Sequence, residues 1–287
     1  MKKSLLAPAL FVCLSLQSLA ADLPKPIASG MKNPESVCLG SDGRTYVTEI
    51  GEFGKDGDGN VLVIVDGQPK PFATGLDDPK GIVAFQSSLY VTDKTRVVKV
   101  DAQGKVTTFT AANQFPTMPQ FLNDIAVEPE SGTLFVSDSG DLKGAGGVVF
   151  RIDVKTGKAD VVVDTKSLPE LNAPNGLLLD GTAHLLLVDF GSGTLYRITL
   201  ADKSVKKIDE GYDGGDGLTW DKKGRLYITS WKTGKVFTIP RSGQKAVLLT
   251  DKFEQAADSC LDSTGRFLLV PDMKAGTLTA LPISTAE

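Results

Sequence analysis

The sequence predicts an all-β protein, a six-bladed β-propeller whose ring is closed by the N-terminal strand completing the last blade. Three observations predict it. The chain repeats itself six times, each repeat is built from short strand-like runs, and the start of the chain matches a strand that its end lacks. Its 287 residues, with 30 Gly and 15 Pro, suit one large all-β unit rich in turns.

The repeat is marked by a polar or small residue that opens an apolar strand. It occurs at Glu35, Lys80, Asn123, Asn175, Asp216 and Ala257, at steps of 45, 43, 52, 41 and 41 residues. Each of these strands leads through a turn into further short runs rich in β-branched and aromatic residues. Repeats of this length, made of four antiparallel strands, are typical of propeller blades.

The two ends of the chain favour a closed ring over a stacked solenoid. The last repeat stops after its third strand. Residues 25–31, Lys-Pro-Ile-Ala-Ser-Gly-Met, match residues 70–76, Lys-Pro-Phe-Ala-Thr-Gly-Leu, the outer strand of the first repeat. The N-terminal segment is therefore expected to supply the missing strand of the sixth blade and to cover an open sheet edge.

The first twenty residues have the pattern of a secretory signal peptide. Lys2 and Lys3 precede an apolar run over residues 5–16, and Ser-Leu-Ala at 18–20 fits a small-x-small cleavage site. The run is too short for a membrane-spanning helix. We therefore predict a signal peptide over 1–20, one propeller domain over 21–287, and a periplasmic or secreted protein.

Charge and cysteine content restrict the partners. The net charge is −4, and it becomes about −6 when the two signal-peptide lysines are removed, which argues against nucleic acid. No later stretch reaches membrane length, and the oligomeric state leaves no signal in the sequence. Cys38 and Cys260 could pair in an exported protein, but two buried thiols are favoured because neighbouring inner strands usually lie too far apart for a disulfide.

The repeat positions form a candidate metal site. The innermost strand of each propeller blade lies along the central channel, so the six opening residues should form a ring at one mouth. Four of them carry carboxylate or amide oxygens: Glu35, Asn123, Asn175 and Asp216. Such ligands suit a hard cation, calcium before zinc. Lys80 could pair with Glu35 or face an anionic oxygen of a substrate.

A structural interpretation competes at each position, because Asn and Asp before Gly are common turn formers. Four oxygen-bearing residues at one repeat position nevertheless favour a shared metal site. Gly81, Gly176 and Gly217 follow ring residues and are expected to let a ligand approach the backbone closely.

Three weaker patterns are interpreted structurally. The acids that end the second strands, Glu49, Asp93, Asp138 and Asp189, are expected mainly to cap turns and join blades. Asp56, Asp58 and Asn60 have the spacing of a calcium loop but lack its later Gly and Glu, which favours a hairpin turn. The single histidine, His184, is expected at the far mouth, so no Ser-His-Asp triad can be built at the ring.

These motifs together resemble the gluconolactonase and senescence-marker-protein (regucalcin) family, and more distantly paraoxonase and strictosidine synthase. The resemblance covers essentially the whole chain after the signal. It implies a six-bladed propeller with one divalent cation in the channel, for which the oxygen ligands favour calcium, with zinc or manganese as alternatives. It implies that Glu35 in Asn-Pro-Glu-Ser, Asn175 in Pro-Asn-Gly-Leu and Asp216 in Gly-Asp-Gly-Leu bind the metal. The family's further Asn, close to metal and substrate, falls on Asn123.

The resemblance implies a metal-dependent hydrolase of a lactone or related ester, acting on a small molecule. Asp216 would be ligand and general base, Asn123 would steady the carbonyl, and Lys80 would contact the substrate. Three features depart from the family: Phe121 stands where the lactonases usually carry a sugar-contacting Arg, the paraoxonase-like histidine is missing, and the first blade carries a large insertion over residues 51–59. The alternative is a non-catalytic exported propeller that binds a small ligand or protein partner and holds a structural metal.

Overall fold

Short apolar runs pair with their neighbours in sequence to form six four-stranded antiparallel sheets. The structure is a computed structural model that describes residues 23–241 and 243–283. The predicted signal peptide lies outside the described residues. The predicted six-bladed propeller is confirmed, and we number the blades in chain order.

Blades one to three comprise β2 (Pro34–Leu39), β3 (Thr45–Glu49), β4 (Gly59–Val65) and β5 (Gln68–Leu76); β6 (Pro79–Phe85), β7 (Ser88–Asp93), β8 (Arg96–Val100) and β9 (Val106–Thr110); and β10 (Leu122–Val127), β11 (Leu134–Asp138), β12 (Val148–Ile152) and β13 (Ala159–Asp164). Blades four and five comprise β14 (Pro174–Asp180), β15 (His184–Asp189), β16 (Thr194–Thr199) and β17 (Val205–Glu210); and β18 (Gly215–Trp220), β19 (Leu226–Ser230), β20 (Lys235–Ile239) and β21 (Val247–Thr250). Blade six comprises β22 (Cys260–Leu261), β23 (Phe267–Asp272) and β24 (Thr277–Pro282), with β1 (Ala28–Ser29) as its outer strand.

The ring closes as the repeated end sequences predict. Ala28 pairs with Leu278 and Ser29 with Thr277, so the first strand of the chain completes the last blade. The Met31 N–H donates to the Gly276 carbonyl at 3.1 Å and extends this contact beyond the strand. The closing strand therefore connects the two termini and covers the edge of β24.

The core is divided among the spaces between blades. Six clusters of buried apolar residues are found, and each combines side chains of two successive blades, the sixth and the first included. Each sheet is therefore covered on both faces, which explains why its strands are apolar on both sides. The only helix among the described residues is a 3-10 turn, Ala112–Gln114. No described helix has the length and apolar character needed to cross a membrane.

Candidate metal centre

The ring residues occupy one position in five of the six blades. Each is the second residue of an innermost strand, at Glu35, Lys80, Asn123, Asn175 and Asp216. Pairing with the second strand is interrupted at this point in all five blades, as between Pro34 and Val37 in the first. Such a bulge leaves a residue without a strand partner and redirects its side chain. The sixth position, Ala257, precedes β22 and carries no oxygen ligand.

Hydrogen bonds between blades hold this ring in place. The Thr48 hydroxyl donates to the Lys80 carbonyl of the next blade at 2.6 Å, and the Thr92 hydroxyl donates to the Asn123 carbonyl. The Asp258 N–H donates to the Glu35 carbonyl at 3.1 Å, which joins blade six to blade one. The backbone at Glu35, Lys80 and Asn123 is thus held by two blades.

The glycines that follow ring residues serve this blade packing. A Cβ atom on Gly176 would lie 1.8 Å from the Asp216 carbonyl oxygen, and one on Gly81 would lie 2.7 Å from the Asn123 carbonyl oxygen. A Cβ on Gly217 would lie 2.3 Å from an Asp258 carboxylate oxygen. The expectation that these glycines open the backbone to a ligand is wrong, because the next blade already fills that space.

All five ring residues line one cavity of about 280 Å³. Three of them have a buried oxygen with no hydrogen-bond partner among the described residues: Glu35 Oε2, Asn123 Oδ1 and Asp216 Oδ1. Their residues are only 4%, 6% and 4% exposed. Buried oxygens normally accept a hydrogen bond. Three buried oxygens without one in a single small cavity therefore indicate a binding site for a ligand that accepts electron pairs, such as a cation.

The orientation of Asn123 is fixed by its amide nitrogen. This nitrogen donates to the Ser139 hydroxyl at 3.1 Å, and that hydroxyl donates to the Pro174 carbonyl at 2.8 Å. The amide oxygen is consequently the group left for the cavity. This favours Asn123 as a ligand over its alternative role as a donor to a substrate carbonyl.

The two ring carboxyl groups share an unfavourable electrostatic environment. Burial raises the pKa of Glu35 well above its usual value, nearby Asp216 and Asp258 add to this, and Lys80 acts in the opposite direction. Burial and Asp258 also raise the pKa of Asp216, while a hydrogen bond from the Asn175 side chain lowers it. The ionised carboxylates therefore lack enough positive charge around them.

The donor set fits a hard divalent cation. Two carboxylates and two side-chain amides offer only oxygen, the ligand atom that calcium prefers. No group of three or more His, Cys, Asp or Glu side chains within residues 23–241 and 243–283 could hold a metal. A metal here would therefore depend on the amides of Asn123 and Asn175 as much as on the two acids.

Lys80 forms one side of the cavity. Its ammonium donates to the Asp78 carbonyl at 3.2 Å and lies 4.1 Å from the centre of the Phe121 ring. Burial lowers the pKa of Lys80, and the charges of Glu35 and Asp78 oppose that shift. The Lys80 ammonium group thus lies between the Glu35 side of the ring and the face of the Phe121 ring.

Sequence comparison places the chain in a family. The family model described as SMP-30/Gluconolactonase/LRE-like region matches residues 68–261. The chain belongs to this family. A solved structure of a gluconolactonase from Xanthomonas campestris, described as important in glucose secondary metabolic pathways, shares 19% identity over 94% of each chain with a TM-score of 0.72. At this identity the likeness shows the fold alone. None of the curated proteins matches the chain.

Two buried acids beside the ring, Asp124 and Asp258, were not predicted from the sequence. Asp124 and Asp258 each follow a ring position. Asp124 accepts from the Leu177 N–H at 2.6 Å, and Asp258 accepts from the Ser36 hydroxyl at 2.6 Å. Burial raises the pKa of Asp258 to about 6, against hydrogen bonds from Ser36 and Ser259. Their shared place in the repeat was a signal that could have found them.

The acids at the ends of the second strands have the structural role that the sequence favoured. Asp138 accepts from the N–H groups of Gln120 and Phe121 at 2.9 and 2.8 Å, in the segment that enters β10. Asp93, Asp189 and Asp272 hold the corresponding segments in their blades, and Glu49 accepts from the Lys32 N–H. Asp272 was not singled out from the sequence, although it ends its strand in the same way.

The remaining motifs also lie apart from the ring. Asp56 and Asp58 lie in the connection between β3 and β4, where Asp56 pairs with Lys94, while Asn60 is the second residue of β4 and donates to Glu49 at 2.8 Å. His184 begins β15 at the end remote from Pro174 and contacts Arg197 at 3.1 Å.

The two cysteines in the described part of the chain, Cys38 and Cys260, are free thiols. Burial raises the pKa of both. They therefore follow the interpretation as two separate thiols, and neither has the lowered pKa of a reactive nucleophile.

Proposed function

We propose that this protein is a divalent-metal-dependent hydrolase that cleaves a lactone or related ester at the channel mouth. The observation that carries the proposal is the convergence of three unpartnered buried oxygens, from Glu35, Asn123 and Asp216, on one cavity. They come from blades one, three and five, so no local turn explains them together. Membership of a family named partly for gluconolactonase supports the reaction class.

The metal would be held by Glu35, Asn123, Asn175 and Asp216, with calcium as the preferred ion and zinc or manganese as alternatives. When bound there, such an ion polarises a carbonyl oxygen and lowers the pKa of a water molecule. Positive charge at this point also offsets the burial of two carboxylates, which is unfavourable when they stand alone.

The reaction assigns a task to three side chains. Asp216 accepts a proton from water as the water oxygen bonds to the ester carbon. The ester C–O bond then breaks, and the proton passes from Asp216 to the departing alkoxide oxygen. Lys80 supplies positive charge beside the oxygen that becomes negative during the attack. Asn123, fixed by Ser139, keeps its oxygen directed into the cavity.

The test is a matched pair of Asp→Asn variants. Asp216→Asn keeps the size of the side chain and removes the base, so lactone hydrolysis should fall by at least about 100-fold. Asp213→Asn, three residues away, changes an exposed aspartate that pairs with Lys232 and should leave the rate unchanged. Far-UV circular dichroism and the melting temperature check that both variants fold.

Metal dependence is tested on chelator-treated protein. Titration calorimetry should detect one calcium, zinc or manganese site, and hydrolysis of a lactone and ester panel should return only when one of these ions is added. Full activity of Asp216→Asn, or undiminished activity in excess chelator, would contradict the proposal. Metal binding without turnover of any panel member would identify a non-catalytic propeller with a structural ion instead.

We also propose, from the sequence of residues 1–20, that the protein acts in the periplasm or outside the cell. Fractionation of cells that express the full chain tests this. Recovery of a protein that still carries residues 1–20 in the cytoplasm would contradict it.

A further inference from the structure

A second tier of six residues stands beside the ring. It consists of the residue that follows each second strand: Ile50, Lys94, Ser139, Phe190, Trp231 and Met273. In every blade its N–H donates to the carbonyl two residues before the ring position, at 2.9–3.3 Å. We call these six residues the upper tier. Because one backbone hydrogen bond repeats in all six blades, the tier is as firmly placed as the ring itself.

Four members of the upper tier are large and apolar, and all four line the cavity: Ile50, Phe190, Trp231 and Met273. The rings of Phe190 and Trp231 are in contact, with centres 5.9 Å apart. The Trp231 indole N–H points to the Met273 sulfur at 3.1 Å. The one polar group that this wall could offer a ligand is therefore already used inside the wall.

The rim of the cavity is apolar as well. Phe53 and Leu142 line it from two loops and are 51% and 49% exposed. Leu142 adopts a φ of 58°, a left-handed conformation that is unusual for a residue of its size. In the free protein, the contact of these two apolar side chains with water is unfavourable, and the left-handed backbone at Leu142 is strained. Apolar residues kept at such positions indicate a ligand that covers them.

We propose that the substrate is a small lactone or ester with an alkyl or aryl group that packs on the upper tier and rim. This deepens the proposed function and rests on it. Polar cavity residues are confined to the ring, where the reacting carbonyl belongs. The hydroxyls of a polyhydroxylated sugar lactone would meet Phe121, Phe190 and Trp231 and lose their hydrogen bonds to water. A volume of about 280 Å³, at the lower end for small-molecule sites, limits the apolar group to a few carbons.

The decisive experiment compares three δ-lactones with the same ring on the metal-loaded protein: glucono-δ-lactone, unsubstituted δ-valerolactone, and δ-lactones with an alkyl chain of two to five carbons. We expect kcat/KM to rise in this order, with the best alkyl lactone about 100-fold above the sugar lactone. Equal or faster hydrolysis of glucono-δ-lactone would overturn the apolar substrate and leave the proposed hydrolase intact.

A binding measurement separates the two proposals if no lactone is hydrolysed. Equilibrium dialysis with an alkyl-substituted δ-lactam and with gluconolactam reports preference without turnover. Tighter binding of the alkyl lactam supports the apolar site even where the hydrolase proposal fails. Tighter binding of gluconolactam, or binding of neither compound, overturns the apolar site.

Two variants test whether the rim and the upper tier bind the apolar group of the substrate. Leu142→Asn removes the apolar side chain and places a residue that tolerates φ 58°, so it should fold and raise KM for the longest alkyl lactone several-fold. KM for δ-valerolactone, which carries no alkyl chain, should rise less. Phe190→Ala should have a larger effect in the same direction. Leu248→Asn, on the exposed side of β21, is the control. An unchanged KM in both cavity variants would overturn the assignment.

Discussion

Two sets of acids lie one strand apart in this propeller: the ring acids of blades one and five, and the acids that end the second strand of every blade except the fifth. The ring acids Glu35 and Asp216 each keep a buried oxygen that finds no hydrogen-bond partner in the described part of the chain. Asp138 and Asp272, at the ends of second strands, each accept three hydrogen bonds from backbone N–H groups. Residue type and burial are similar in the two sets, so the partners decide their roles.

The difference arises from the local backbone. At the ring, a hydroxyl of the second strand already serves the N–H next to the bulge: Thr48 accepts from Ser36 at 2.9 Å, and Thr229 accepts from Gly217 at 2.7 Å. These two N–H groups are therefore not available to the ring acids. Strand-end acids instead face the free N–H groups of the segments that connect blades. An acid whose surrounding backbone is already satisfied is thus available for a ligand.

The largest difference in metal affinity should come from replacing, in two separate variants, the one glutamate that each set has in blade one. Glu35→Gln removes one charged ligand of the proposed metal, and we expect calcium affinity to fall by more than about 10–100-fold, with loss of hydrolysis. Glu49→Gln keeps an acceptor for the Lys32 N–H and should leave the affinity unchanged. Titration calorimetry measures both. Similar affinities in the two variants would abolish the distinction between the sets.

The next largest effect should come from the packing that supports the ring. Gly176→Ala places a methyl group against the Asp216 carbonyl, so we expect a loss of about 2–5 kcal/mol in unfolding free energy. Gly181→Ala, in a turn of the same blade, meets open space and bears only the strain of its φ of 65°. Urea unfolding compares the two. Equal losses would show that blade contact does not require this glycine.

A smaller effect should follow from weakening a strand-end acid where the ring has no ligand. Asp272→Asn weakens charge-assisted bonds to Glu254, Gln255 and Ala275, and we expect a loss of about 1–3 kcal/mol. Calcium affinity should be unchanged, because this segment leads to Ala257. A drop in affinity without a drop in stability would contradict the division of roles.

The smallest effect concerns an acid outside both sets. Burial alone would raise the pKa of Asp221, but hydrogen bonds from the backbone and guanidinium of Arg225 lower it overall. A folded pKa below the unfolded value of about 3.9 means stabilisation that is present above pH 4 and lost as the pH falls. Asp221→Asn should therefore lose less than about 1 kcal/mol at pH 7, and the difference should vanish in acid. Urea unfolding at several pH values checks this, and a constant difference would contradict it.

The repeat was sufficient to predict the fold and the ring, because a residue's place in a blade determines its place in space. It did not reveal the cavity wall. Ile50, Phe190, Trp231 and Met273 look like ordinary apolar residues after a strand, and only their shared position distinguishes them. The orientation of the Asn123 amide depends on Ser139, sixteen residues away, and no local pattern contains it. The prediction for the glycines was wrong because the sequence of one repeat does not show how closely the next blade packs against it.

The order in which the ring is sealed follows from β1. Ala28 must pair with Leu278, so among the described residues the strand pairing with the longest sequence separation involves the first described strand. Contacts across such separations form slowly. Until they form, β24 exposes an unpaired edge that can recruit other chains. Folding yield should therefore depend on Ala28 and Ser29, which lie outside the proposed metal site. A fusion or truncation near residue 28 should lower the yield of folded protein more than it changes the activity of the molecules that fold.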